Sequence, residues 1–172
     1  MKDRKKPELL APAGSPEALE AAVAAGADAV YLGTPDFNAR IGAQNFTPAA
    51  LEEGAALCHA RGTAVHVAMN TLVWDREMPR FLSAAYEALS RGADALIVAD
   101  YGAAQLLRRH FPGAVLHAST QLSVHNLAGV KKMAEAGFSR VVLARELNRQ
   151  NLETICRNAP VETEMFVHGA LC

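Results

Sequence analysis

Three histidines, His66, His117 and His168, each interrupt a run of apolar, mostly β-branched residues, and the last run leads through His168 and Gly169 to Cys172. Imidazole changes charge near neutral pH and binds metals, so such positions suit a base or a ligand. The competing reading of each is a hydrogen-bonded core side chain. At the ends of these or neighbouring runs lie two amides, Asn70 and Gln121, two carboxylates, Glu146 and Glu164, and the guanidinium of Arg145. Carboxylates there could move protons, and amides could orient a substrate. Arg145, together with Arg40 from a polar loop, could meet an anion, and His117 could contact the substrate. For several of these residues a capped turn or a surface salt bridge is the plain alternative. Cys172 near His168 also invites a thiol nucleophile and its base, although no third orienting group is evident. No HExxH or comparable ligand spacing supports a zinc peptidase.

A regular alternation of strands and helices must position these side chains. Apolar runs at 8–13, 29–33, 63–70, 95–100, 115–120, 140–145 and 162–168 alternate with longer Ala/Leu/Glu-rich segments, the signature of repeated βαβ units. Ser15-Pro16 and Thr47-Pro48 each offer a capping hydroxyl followed by proline at the first helical position, and both helices stop at a glycine, Gly26 and Gly62. The stretch AAGADAVYLG at 24–33 recurs as SRGADALIVAD at 90–100 and more loosely as EAGFSRVVLAR at 135–145. Each reads as a helix end, a glycine suited to left-handed backbone, a polar turn and a buried strand. Every strand is followed by a helix, and no long connection marks a reversal of strand order. The pattern therefore predicts a (β/α)8 TIM-barrel-like fold rather than a doubly wound sheet. A whole barrel takes about 250 residues. About seven βα units are expected here, in one N-terminal barrel domain over residues 1–172 that is truncated relative to a longer protein.

Barrel sites lie at the C-terminal ends of the strands, and helices outside the barrel require apolar outward positions. Alternation then turns His66 and Asn70 inward against Val65, Val67 and Met69. It turns His117, Ser119 and Gln121 inward against Leu116 and Ala118, and Glu164, Phe166 and His168 inward against Met165 and Val167. Three strands would send a histidine to one interior. The loop DFNARIGAQNFT at 36–47, which carries Arg40, is longer than a minimal βα turn and is expected to contact substrate. APAGSPE at 11–17 could hold a phosphate at a helix N-terminus. It lacks a glycine-rich phosphate motif, so plain capping is expected.

Composition bounds the function classes. With 51% hydrophobic and 20% charged residues and a net charge of -1, the chain is neither disordered nor collagen-like and has no global attraction to nucleic acid. MKDRKKPELL is not followed by the apolar run that a secretory signal or membrane span needs, so a cytoplasmic location and no membrane partner are expected. Cys58, Cys156 and Cys172 show no CxxC spacing, which argues against a disulfide framework.

The segments ELLAPAGSPEALEAAVAAGADAVYLG, FNAR, NFT, NTLV, ALIVAD, HASTQLSVHN, VVLAREL and FVHGALC, in this order, resemble the collagenase-like peptidase family U32 over nearly the whole chain. The resemblance implies two activities. The family's name records a claimed peptidase activity without established catalytic residues. Better-understood members are iron-sulfur proteins that hydroxylate without molecular oxygen, acting on pyrimidines of tRNA or rRNA or on a quinone precursor. Their sequences continue past the equivalent of Cys172 into a segment with more cysteines, so Cys172 is expected to be the first thiolate of a cluster in the full-length protein. One thiolate cannot hold a cluster, and none is expected in this stretch alone. The expectation is thus an RNA hydroxylase in the full-length protein. In it Cys172 ligates, His168 and Glu164 line the pocket, and Arg40 with Arg145 meets the anionic substrate. The alternatives are a peptidase acting on peptide, or a substrate-binding scaffold that is inactive alone and self-associates through open barrel edges.

Overall fold

The computed structural model describes residues 6–39 and 44–169. Seven strands alternate with six α-helices in chain order: β1 (Leu10–Pro12), α1 (Pro16–Ala24), β2 (Ala29–Gly33), α2 (Pro48–His59), β3 (Ala64–Met69), α3 (Met78–Ser90), β4 (Ala95–Val98), α4 (Tyr101–His110), β5 (Leu116–Ala118), α5 (Leu127–Glu135), β6 (Arg140–Val142), α6 (Arg149–Asn158) and β7 (Glu162–Glu164). All adjacent strands are parallel and pair in sequence order from β1 to β7. Among the described residues β1 and β7 are the two sheet edges, and no helix is long and apolar enough to cross a membrane.

The caps form as their residue types dictate. Ser15 Oγ accepts from Ala18 N at 3.2 Å and Thr47 Oγ1 from Ala50 N at 3.3 Å, each followed by the proline that opens its helix. The repeated corner is real: Gly26 and Gly92 both turn the chain at positive φ, 85° and 98°, where a Cβ would be strained. Because its hydroxyl is spent on Ala18 N, Ser15 acts as a cap.

Each helix buries one stripe. Phe81, Ala85 and Ala88 of α3 and Leu51, Ala55 and Cys58 of α2 recur at spacings of three and four, which put them on one helix face. They meet the outward side chains of the sheet, Val65, Val67 and Met69 among them, in one continuous core. Full burial of a Leu or Phe there contributes about 2 kcal/mol. This outer layer leaves the other sheet face to line the interior.

The sheet is curled. Arg140 on β6 donates to Glu8, just ahead of β1, through Nη1 at 2.6 Å and Nη2 at 3.0 Å. In a flat sheet five strand spacings would separate them by about 24 Å, far beyond a side chain's reach. The fold is therefore the expected barrel-like arrangement, with seven strands in a partial barrel. Several strands are shorter than the apolar runs suggested. The run 115–120 gives β5 only over Leu116–Ala118, and 162–168 gives β7 only over Glu162–Glu164. At the C-terminal ends the chain bends into loops, and those loops build the site.

Candidate functional site

At the C-terminal ends of the strands an open-mouthed cavity of about 70 Å³ is walled by Tyr31, Asn38, Asn45, Asn70, Ser119 and Thr120, with Glu164 and Phe166 from the β7 side and an apolar floor that includes Ala68, Ile97 and Val142. Alternation places several of these. Ala68 and Asn70 continue the inward series begun by His66, and Glu164 and Phe166 both face the cavity. Most of the wall is uncharged amide and hydroxyl.

The loop after β2 holds its share of the wall under strain. Phe37 and Asn45 adopt φ of 59° and 41°, a region that non-glycine residues rarely occupy. The surroundings compensate at each end. The Phe37 ring packs edge-on against Phe81 at 5.2 Å beneath the Arg80 guanidinium, and Phe46 N donates to Gly33 O at 2.8 Å with its ring in the core. Between these anchors Asn38 Nδ2 donates to Asn45 Oδ1, closing the loop on itself. Ala39 N donates to Asn70 Oδ1 at 3.1 Å, which ties the loop to the end of β3. Gly33 makes room for this arrangement, since a Cβ there would lie 1.9 Å from Asn38 Nδ2.

Beneath the mouth lies a charged layer. Arg140 Nε and Nη2 donate to Glu162 Oε2 at 2.9 and 2.6 Å, in addition to its two bonds to Glu8. Burial opposes the guanidinium charge, but these two carboxylates hold it more firmly protonated than usual. The hydrogen bond from Arg140 in turn holds the Glu8 carboxyl below its ordinary range. Glu164 approaches Arg140 Nη1 only to 3.6 Å, too far for a hydrogen bond, and burial pushes its carboxyl above the ordinary range against the pull of Arg140. Next to them the His66 and His117 rings meet edge to face with centroids 4.7 Å apart. Burial, with the Arg140 charge close by, keeps both rings neutral; for His117 the nearness of a second imidazole that would have to share the site adds to this, and its pKa is lowered to about 3. Neither Nδ1 has a hydrogen-bond partner among the described residues.

The expected site residues part company in the structure. Glu164 and Asn70 line the mouth, whereas His117 lies in the layer below it. Arg145 and His168 line an adjoining open groove with Met165 and Val167, and the Arg145 guanidinium stacks 4.0 Å above the Phe166 ring. His168 is exposed and lies beyond the end of β7, so two strands rather than three send a histidine to the interior. Gln121 and Glu146 are exposed and outside the cavity wall. For Gln121 the reason is a 3-10 turn over Thr120–Leu122, opened when Gln121 N bonds to Ser119 Oγ. The turn breaks the alternation and gives the inward place to Thr120. Arg40 and Cys172 lie outside the described residues. Tyr31, Asn38, Asn45 and Thr120 were not anticipated; the only hint was that the polar loop at 36–47 contains two asparagines, the residue type that best tolerates positive φ.

Among the described residues no three His, Cys, Asp or Glu side chains converge as a metal site. Cys58 is buried in α2, where burial raises its thiol, and the exposed Cys156 of α6 has its Sγ 3.3 Å from Thr163 Oγ1 of β7. The residues described here do not fit an iron-sulfur cluster by themselves.

The tRNA hydroxylation protein P of Escherichia coli is 39% identical over 168 residues, covering 97% of this chain and 37% of that protein. The 23S rRNA 5-hydroxycytidine C2501 synthase of the same organism is 37% identical over 165 residues, covering 96% of this chain and 25% of that protein. The chain thus spans well under half the length of these relatives. The solved structure of a U32 peptidase superposes with a TM-score of 0.73 at 15% identity, covering 96% of this chain and 70% of that one, which supports the fold. The sequence model of Peptidase family U32 matches residues 14–172, and this chain belongs to that family.

Proposed function

We propose that this chain is the N-terminal catalytic part of an enzyme that hydroxylates a pyrimidine of tRNA or rRNA, with the target base entering the mouth of the barrel. The observation that carries this reading is the neutral character of the wall. Asn38, Asn45, Asn70, Ser119 and Thr120 offer amide and hydroxyl groups suited to the edge of an uncharged base, and Phe166 offers a ring face. Enzymes that modify bases extrude the target into such a pocket and read it by hydrogen bonds and stacking. The adjoining groove, with Arg145 stacked on Phe166, suits the phosphate backbone, and Arg40 is assigned the same task. The relatives named for hydroxylation of tRNA and rRNA support the reaction class. A cytoplasmic location follows from such a substrate.

The iron-sulfur cluster belongs to the same proposal as a property of the longer protein, with Cys172 as one thiolate and further cysteines beyond it; soft anionic sulfur suits iron. Such a cluster would supply the redox chemistry of hydroxylation. Glu164, Asn70 and the Asn38–Asn45 pair would hold and orient the base. Among the described residues no histidine lines the mouth, so the peptidase reading finds no imidazole base in its wall.

The test uses the full-length protein in cells lacking its gene. Mass spectrometry of digested RNA should show a hydroxylated pyrimidine restored by the wild type and lost with Asn38→Ala. Cys172→Ala should lose iron and acid-labile sulfide, while Cys58→Ala and Cys156→Ala keep both. RNA hydroxylation that is unchanged by deleting the gene would overturn the reading, and equal iron loss in all three cysteine variants would overturn the assignment of Cys172.

A further inference from the structure

The charged layer contains more carboxylates than its cation can serve. Arg140 carries five N–H donors, and four donor contacts go to Glu8 and Glu162. Glu164 is the third carboxylate around one guanidinium, held at 3.6 Å from Nη1 with its side chain only 16% exposed. Its Oε2 is buried and has no hydrogen-bond partner among the described residues, yet the side chain forms part of the mouth wall. A buried carboxylate with no hydrogen bond, and only a shared cation at 3.6 Å, carries a desolvation penalty that a proton removes. The groups that act on Glu164 are Arg140 on β6 and Glu8 ahead of β1, with Tyr31 on β2 in the same wall and Glu162 two residues back on its own strand, while His66 and His117 lie in the layer around Arg140. Both histidines are neutral here, so Arg140 is the cation within reach, and two carboxylates already hold it.

We propose that Glu164 presents a neutral carboxylic acid to the mouth and donates its proton in a hydrogen bond to a carbonyl oxygen of the bound ligand, with Glu8 and Glu162 keeping it neutral by occupying Arg140. The inference rests on the reading of the mouth as a base pocket for the identity of that carbonyl, a ring C=O of a pyrimidine. The protonation itself depends only on this chain. Glu164 is then the residue that distinguishes a ligand with a carbonyl at that depth from one with a donor there, since an acid O–H facing a donor leaves both unpaired. Glu8 and Glu162 are positioning residues: removing either charge returns Arg140 to Glu164, makes it a carboxylate, and reverses the hydrogen-bond preference of the wall.

The experiment is a pH titration of the full-length protein carrying carbon-13 at the glutamate side-chain carboxyls, with and without excess uridine and without RNA. One resonance, absent in Glu164→Gln, should titrate above the ordinary glutamate range. It should move down in Glu162→Gln and in Glu8→Gln, and further up when uridine is added. A Glu164 resonance that titrates with the other glutamates, or that ignores both charge removals, overturns the neutral acid. A resonance that behaves as expected in the free protein but does not move with uridine overturns the hydrogen bond to a pyrimidine carbonyl. Because the free-protein titration contains no RNA, the neutral acid stands or falls independently of whether the enzyme hydroxylates RNA.

Discussion

The barrel interior holds two polar regions with opposite accounting. In the lower layer Arg140, Glu8 and Glu162 satisfy one another through four direct bonds at 2.6 to 3.0 Å. In the mouth Asn38 bonds to Asn45 and Ala39 N to Asn70, and the wall that these side chains build faces an open cavity. Well-paired buried groups rigidify a fold, whereas polar groups left facing a cavity await a ligand. The two regions join at Glu164, which has a neighbour in the layer and an unsatisfied oxygen beneath the mouth. Closing the curl and reading a ligand are thus assigned to adjacent rungs of the same strands.

The largest effect should come from removing the cation of the lower layer. Arg140→Met leaves three carboxylates with no counter-charge and cuts the tie from β6 to the chain ahead of β1. Breaking a buried pair from one side costs about 3 to 5 kcal/mol. Glu162 is 67% exposed and Glu8 40%, so both can turn to water and the low end of that range applies. Urea unfolding should show a loss of about 3 kcal/mol at unchanged slope. An unchanged midpoint would mean that the layer does not hold the curl.

Damage to the mouth should behave differently. Gly33→Ala drives a methyl to within 1.9 Å of Asn38 Nδ2, so the Asn38–Asn45 pair must move. The overpacking cost is about 1 to 2 kcal/mol, because the loop can give at its open side. Misplacing the positioning amides by about an ångström should lower RNA hydroxylation by the full-length protein about 100-fold. Activity close to wild type in this variant would show that the pair does not position the ligand, and would remove the contrast between the regions.

How much of this could be read from the sequence follows from where the backbone is regular. The period of two holds inside β3 and β5 and at the start of β7, so the inward placement of His66, His117 and Glu164 and the outward apolar set were legible. The period fails where strands end. A 3-10 turn over Thr120–Leu122 put Thr120 where alternation had put Gln121, and the chain beyond Glu164 left the sheet and carried His168 to the surface. Glu146 fell outside for the same reason, since β6 ends at Val142. The Asn38–Asn45 pair was illegible for another reason. It forms because two non-glycine residues accept positive φ under tertiary packing from Phe81 and Phe46, and local sequence encodes no such compensation. Charge pairing across the barrel was equally hidden, because Glu8 and Arg140 are 132 residues apart.

The two regions also separate by pH. His117 is neutral in the fold down to about 3 but takes up a proton near its ordinary value of 6.5 when unfolded. Between those values the unfolded chain binds more protons, so stability falls as pH drops, by at most about 1.4 kcal/mol per pH unit. Glu164 works in the opposite sense. Its raised folded value adds stability that is present below its unfolded value of 4.5 and is lost as pH rises through the folded value. In His117→Gln the first slope disappears and the second remains. Urea midpoints from about pH 7 to about pH 4 should therefore fall less steeply in the variant than in the wild type, with the curves converging in slope above the histidine range. Parallel curves throughout would mean that His117 titrates normally, and that the layer beneath the mouth is wetter than its burial implies.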